Sequence, residues 1–110
     1  MRLRDYLSVP YILEAETVEV AGSWLRRVAY PELPGCVAES LVVEDALVQL
    51  ERMRIETIVR IVGEGRRPPV PRPPLHDSDP AWVAKQVGVA HDIVALIDRD
   101  AVTIAPETNI

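Results

Sequence analysis

The fold is decided by one stretch of the chain, Tyr30-Pro31-Glu32-Leu33-Pro34-Gly35-Cys36. Its two prolines and its glycine stop an extended segment and reverse the chain direction. Before the stretch, apolar and polar residues alternate as they do in half-buried strands, whereas from Ala46 onward the apolar spacing becomes that of a helix. The sequence therefore predicts a compact unit in which strands, a stiff corner and a long helix follow one another.

Three short strands are predicted around this corner. Residues 11–20 and 24–30 both alternate, and the turn Ala21-Gly22-Ser23 lies between them. A loop this short joins antiparallel neighbours, so the two segments are expected to form a hairpin. Residues 36–39 supply the third strand. The fold class predicted is α+β, with a three- or four-stranded antiparallel sheet covered by one long helix.

The long helix is predicted over residues 42–62 and carries two apolar stripes. The first stripe is expected to lie on the sheet; it consists of Val43, Ala46, Leu47, Leu50, Met53, Ile58 and Ile61. The second stripe is displaced by about 120° at roughly 100° per residue; it consists of Val48, Ile55, Val59 and Val62. Because one small sheet covers one stripe, the second needs another cover: the C-terminal segment, a second copy or a different protein.

The chain changes character after the helix, which Gly63 and Gly65 are expected to end. Residues 68–74 are rich in proline and predict a stiff, extended connector. Residues 75–110 predict a small helical segment, with helices over residues 81–87 and 90–98 and a strand over residues 101–105. The predicted organisation is a main domain over residues 1–67, the connector, and a C-terminal segment that packs back or swaps onto a neighbour.

Composition sets limits on function. The net charge of −5 and the pI near 5.0 argue against a chain that coats nucleic acid and suit a protein that covers a basic partner. Cys36 is the only cysteine, so no intrachain disulfide forms and a reducing cytoplasm is expected. The charged start of the chain does not have the pattern expected of a signal peptide, and no apolar run reaches the roughly 20 residues that span a bilayer.

The corner and the helix start together resemble those of the HicB-like antitoxin family, the neutralising half of bacterial toxin–antitoxin pairs. The family motif is similar to Pro31-Glu32-Leu33-Pro34-Gly35-Cys36, followed by the acidic helix start Glu44-Asp45-Ala46 and a proline-containing exit at residues 69–73. The resemblance covers about residues 6–74. This chain departs from it at Ser40, where relatives carry glycine, and at Val42, where they carry a Thr or Ser cap.

The matched residues have architectural roles. Pro31 and Pro34 stiffen the corner, Gly35 permits an unusual backbone conformation, and Cys36 is expected to be a small buried apolar group. Leu33 lies between the two prolines. The acidic Glu44, beside Ala46, complements the positive end of the helix dipole.

The resemblance implies binding to a small mRNA-cleaving toxin of the HicA type, by covering its basic surface or catalytic histidine. The residues expected to contact a partner are Trp24, Arg26, Val48, Ile55, Val59 and Val62. A second reading is a stand-alone domain that assembles with itself through free sheet edges. A third is an autorepressor that binds DNA through residues 84–96, which resemble a degenerate helix-turn-helix, although residues 75–110 carry six acidic residues against Lys85 and Arg99.

Catalysis is not expected. Glu14 and Glu16 share a strand face, but paired acidic residues on a strand more often form a solvated face. No metal-type Cys/His spacing occurs. Asp77-Ser78-Asp79 and Asp98-Arg99-Asp100 have the DxD spacing, but the first is better interpreted as a helix cap and the second as a polar turn. A nucleophile–base pair of Cys36 with His76 or His91 is a further candidate. The sequence therefore predicts no catalytic residue, no metal and no cofactor.

Overall fold

The computed structural model describes the backbone of residues 1–108 and the side chains of residues 1–99. In that part of the chain the order of elements is α1 (Leu3–Leu7), β1 (Glu14–Val20), β2 (Ser23–Ala29), β3 (Val37–Ser40), α2 (Val43–Gly63), α3 (Pro80–Gln86) and α4 (His91–Thr108). The strands form one antiparallel sheet in the order β1-β2-β3, and α2 packs on it. The predicted α+β fold is confirmed.

Strands β1 and β2 form a hairpin whose turn fixes its register. Ala21 and Gly22 both have positive φ angles, of 51° and 81°, which is the signature of a two-residue type I′ turn. Val20 therefore lies opposite Ser23, and the pairing continues to Glu14 opposite Ala29. On the other side of β2, Val28 pairs with Ala38 of β3.

The Pro-Gly corner between β2 and β3 is held by its own backbone. The Leu33 N–H donates to the Tyr30 carbonyl at 3.0 Å, and the Cys36 N–H donates to the Leu33 carbonyl at 3.3 Å. Gly35 has a φ of +82°, a conformation that side chains disfavour. Leu33 and Cys36 are buried, whereas Pro31 and Pro34 are exposed. The corner thus inserts two apolar side chains beneath α2 and turns its prolines to solvent.

Helix α2 begins and ends within one residue of the prediction. Its first residue follows Val42, which provides no side-chain cap, and the Ser40 hydroxyl accepts the Val42 N–H at 3.3 Å instead of capping the first turn. The exposed Glu44 lies in that turn. At the other end, the Arg66 N–H bonds to the Ile61 carbonyl and the Gly65 N–H to the Val62 carbonyl, a Schellman motif.

The core is a single cluster that joins the sheet, α1, α2 and the C-terminal helices. Ala46, Leu50 and Ile58 of α2 are fully buried above Val28 of β2 and Ala38 of β3. The same cluster contains residues from beyond the connector: Ala84, Val87, Val89, Val94 and Ile97. The C-terminal segment therefore packs back on the main domain of its own chain.

Two features at the ends of the chain differ from the sequence prediction. Helix α1 was not predicted; it is one turn and a half long, and Leu3, Tyr6 and Leu7 give it an apolar face. The strand predicted over residues 101–105 is wrong, because α4 continues through these residues to Thr108. The β-branched composition there favoured a strand, but extending an existing helix requires no new nucleus.

Candidate protein-binding surface

The bare part of the fold is the β1–β2 hairpin. Helix α2 lies across β2 and β3 and makes at most marginal contact with β1. Every residue of β1 is exposed except Val18, which is half-buried. No described residue pairs with the outer edge of β1, where the sheet ends. A seven-residue strand is therefore uncovered on both faces and along one edge.

Trp24 and Arg26 occupy the helix-side face of this hairpin. They alternate with Val28, which is buried under α2, so all three point to the same side of the sheet. Helix α2 does not reach the end of the hairpin, and 61% of Trp24 is exposed. The Arg26 guanidinium hydrogen-bonds the Thr17 hydroxyl on the neighbouring strand. These two predicted contact residues lie together and are accessible.

The opposite face of the sheet has no covering layer among the described residues. Arg27, on β2, lies between two carboxylates: its Nη1 is 3.3 Å from Glu16 Oε1, and its Nη2 is 3.4 Å from Glu39 Oε1. Val18 and Leu25 pair beside this group, and Val37 is exposed at its margin. This outer face is thus a mixed apolar and charged surface open to solvent.

The hairpin has excess negative charge. Glu16 is paired with Arg27, but Glu14 and Glu19 have no ionic or hydrogen-bond partner among the described side chains. Both are exposed on β1. The free carboxylates give the uncovered strand an acidic character that complements a basic surface.

The predicted second stripe of α2 is mostly covered by the chain itself. Val48 is 40% exposed, whereas Val59 and Val62 are half-buried against the core. Ile55 is only 1% exposed, so the prediction that it contacts a partner is corrected. Its side chain belongs to the same apolar cluster as residues of α1, α3 and α4, so this position of the stripe is covered within the chain.

One polar contact anchors the C-terminal segment on α2. The Arg52 Nε donates to the Val87 carbonyl at 2.7 Å, where α3 ends. A Cβ atom at the neighbouring Gly88 would lie 3.4 Å from the Arg52 guanidinium. The segment is therefore seated closely on α2 at the end of α3.

Arg54 of α2 forms an ion pair within its own helix and a hydrogen bond to α1. The guanidinium of Arg54, which is almost fully buried, bonds both carboxylate oxygens of Glu51 at 2.8 and 3.0 Å and donates to the Leu7 carbonyl at 2.8 Å. The Tyr30 hydroxyl donates to Glu51 at 2.7 Å. Burial opposes the charge on Glu51, but the hydrogen bonds from Arg54 and Tyr30 prevail and lower its pKa. The pKa of Tyr30 is raised by burial and by this bond.

The sequence offered no signal for this network, because Arg54 was on neither predicted stripe. Arg54 and Glu51 line a cleft of about 250 Å³ between α1 and the connector. No buried side-chain polar atom in the described part of the molecule lacks a hydrogen-bond partner. The cleft is therefore interpreted as a structural contact whose buried polar side chains are all hydrogen-bonded.

The proline connector is docked along the N-terminal segment. Tyr11 donates its hydroxyl to the Pro69 carbonyl at 2.7 Å, and the Leu75 N–H donates to the Ser8 carbonyl at 2.9 Å. Between them, Arg72 forms a two-pronged pair with Glu32 of the corner. The corner thus does more than reverse the chain, since Glu32 also holds the connector.

Cys36 and the two histidines weighed as a nucleophile–base pair do not come together. Cys36 is buried, burial raises the pKa of its thiol, and its thiol bonds to Thr57 at 3.7 Å. His76 and His91 are both exposed, one near the end of the connector and one at the start of α4. Among the described residues, no group of three His, Cys, Asp or Glu side chains is placed to hold a metal ion.

The segment weighed for DNA binding has the outline of two helices and a short turn. However, Ala84, Val87 and Val89 face the core, so the turn is used for packing. The exposed start of α4 presents His91 and Asp92. This is an unfavourable surface for phosphates.

Comparison with protein-family models, curated proteins and solved structures gives no significant match. The HicB-like resemblance accordingly rests on the residues of the corner, of the helix start and of the proline exit. Within the described residues, no helix is long and apolar enough to cross a membrane.

Proposed function

We propose that this chain is a protein-binding module of the HicB-like antitoxin type, which neutralises a small mRNA-cleaving toxin of the HicA type in the cytoplasm without catalysis, metal or cofactor. The observation that carries the proposal is the bare hairpin. Strand β1 is uncovered on both faces and at its edge, whereas Val28 of β2 and Ala38 of β3 are buried under α2.

Surface chemistry supports a partner that is another polypeptide. Free strand edges and exposed apolar residues on one element are features that partner proteins cover. Trp24 is a large aromatic side chain, of the type that dominates binding energy at interfaces, and Arg26 lies beside it. The free carboxylates of Glu14 and Glu19 suit a basic partner.

Within this proposal the contact residues are Trp24 and Arg26, with Val48 as a further exposed position on α2. Val59 and Val62 contribute only their exposed fractions, since both pack against the core. DNA binding by the C-terminal segment is disfavoured, because its turn is buried and its charge is acidic.

The test is co-expression with each small open reading frame next to this gene, read out by growth and by co-purification. A frame that is toxic alone and harmless beside this chain, in a stable complex, supports the proposal. Absence of both rescue and complex overturns it.

Two tryptophans provide a matched pair of variants. Trp24 on the hairpin and Trp82 on α3 are 61% and 59% exposed, so their replacement by alanine removes similar exposed surface. Trp24→Ala is expected to weaken the complex by at least about tenfold, the scale of an aromatic hot spot. Trp82→Ala should leave it unchanged. If Trp24→Ala and Trp82→Ala changed the affinity equally, the hairpin would not be part of the interface.

A further inference from the structure

The outer edge of β1 carries a defined set of free backbone groups. In a two-residue type I′ hairpin the residues that flank the turn form a hydrogen-bonded pair, here Val20 and Ser23. Hydrogen-bonded and non-hydrogen-bonded pairs then alternate along an antiparallel ladder. It follows that the N–H and C=O groups of Ala15, Thr17 and Glu19 point away from β2, toward the free edge.

We propose that this edge pairs antiparallel with β1 of a second copy, in a register centred on Thr17, so that two sheets become one of six strands. This register places Thr17 opposite Thr17 of the second copy and Ala15 opposite its Glu19. These are the residues whose backbone groups face outward, and each such pair exchanges two N–H···O bonds. The inference does not depend on whether a toxin exists.

Charge selects this register among its neighbours. With Thr17 at the centre, Glu14 faces Val20, Glu16 faces Val18 and Glu19 faces Ala15, so no carboxylate lies directly opposite another. Like charges directly opposite each other destabilise strand pairs. A register centred on Glu16 would set the two Glu16 side chains against each other, and one centred on Val18 would pair Ala15 with the turn residue Ala21, which shortens the ladder.

The remaining repulsion is small. The two Glu16 residues become diagonal neighbours across the seam, but each carboxylate already lies 3.3 Å from Arg27 of its own chain. Both α2 helices lie on the same face of the joined sheet, away from the seam, because α2 covers β2 and β3. Strand β1 ends the sheet and six of its seven residues are exposed, so its outer edge is accessible to a second strand.

Ala15 and Glu19 allow a test that is specific for the register. Within one chain these residues face Val28 and Trp24 across the hairpin, so neither meets a charge there. Ala15→Glu puts a carboxylate opposite Glu19 of the second copy, and symmetry repeats the clash, so the dimer should weaken by about tenfold. Ala15→Lys should tighten it, and Ala15→Glu combined with Glu19→Lys should restore the wild-type affinity.

The measurement is sedimentation equilibrium of the full chain and its variants, with circular dichroism to verify that each is folded. The inference predicts a dimer for the wild type and the order Ala15→Lys, wild type, Ala15→Glu for decreasing affinity. The inference is overturned if the wild type is a monomer at all concentrations. It is also overturned if none of the three variants changes the affinity of the dimer. Either result leaves the Trp24 test of toxin binding intact, because that test is read from a different complex.

Discussion

Glu32 and Arg72 form a two-pronged ion pair between the Pro-Gly corner and the proline connector. The Glu32 Oε1 to Arg72 Nη1 distance is 2.8 Å, and the Glu32 Oε2 to Arg72 Nη2 distance is 3.1 Å. Glu32 also accepts the Ile12 N–H at 2.8 Å, and Arg72 donates to the Pro10 carbonyl. One carboxylate therefore fixes the connector, the N-terminal segment and the corner relative to one another.

Loss of the Glu32 charge should release the connector. Hydrogen bonds from Arg72 and from the Ile12 N–H hold the pKa of Glu32 below its ordinary value of about 4.5. A lowered folded-state pKa means that the contribution is complete above pH 4.5 and is lost as pH falls through the folded value. The protection factor of the Leu75 N–H, which donates to the Ser8 carbonyl, should therefore fall as the pH drops below 4.5, and it should already be lower at pH 7 in Glu32→Gln.

The control for this prediction is Glu39→Gln, which removes an equivalent charge from the open sheet face, where Glu39 pairs with Arg27. Exchange at Leu75 should be unaffected by it. Unchanged protection at Leu75 in Glu32→Gln would show that the connector is held without this pair.

The buried Arg54–Glu51 pair should show strong coupling. Arg54→Leu leaves the partly buried Glu51 without its guanidinium partner and should lower the free energy of unfolding by about 1–3 kcal/mol. Adding Glu51→Leu removes that stranded charge, so the double variant should be more stable than Arg54→Leu alone. Urea unfolding of the three variants measures this, and additive losses would contradict a coupled pair.

Two glycines should respond in opposite directions to alanine. Gly35 has a φ of +82° in the corner, whereas Gly63 is helical, and neither has an atom within 4 Å of a new Cβ. Steric space for a Cβ atom is therefore the same at both glycines, and they differ only in backbone conformation. Gly35→Ala should cost about 1 kcal/mol, and Gly63→Ala should stabilise by up to about 1 kcal/mol. Thermal unfolding of both variants checks the sign.

Alanine substitutions at Ile55 and Val48 distinguish a buried position of α2 from an exposed one. Ile55→Ala empties a fully buried position and should cost about 2–5 kcal/mol of stability. Val48→Ala, on the exposed side, should change stability by less than about 0.5 kcal/mol. Chemical denaturation of the two variants measures this. If Ile55→Ala were as mild as Val48→Ala, Ile55 would not be buried in solution.

The sheet and α2 were predictable because their signals are local. Alternation, the turn at Gly22 and the Pro-Gly corner set the strands to within about three residues, and the apolar period set α2 to within one. The same local signals failed at residues 101–105, where β-branched residues continue a helix. Helix α1 was missed because five residues give too short a periodic pattern.

The candidate surface was predictable only in part. Trp24 and Arg26 were predicted as contact residues on a strand whose faces are both mixed, and the structure places both at exposed positions. The burial of Ile55 depends on packing between elements distant in sequence, including the docking of the C-terminal segment. That docking uses the Arg52 to Val87 contact between residues 35 apart, which no local pattern encodes. The exposure of β1 likewise depends on the orientation of α2 across the sheet, which leaves β1 uncovered.

The central claim is that another polypeptide covers the hairpin, and amide hydrogen exchange along β1 tests it most directly. The outward N–H groups of Ala15, Thr17 and Glu19 are compared with the inward ones of Glu16 and Val18, for the chain at rising concentration and with a co-expressed neighbour. The account predicts that the outward amides slow toward the inward ones in at least one of these conditions. Outward amides that exchange freely throughout, beside protected inward ones, would contradict it.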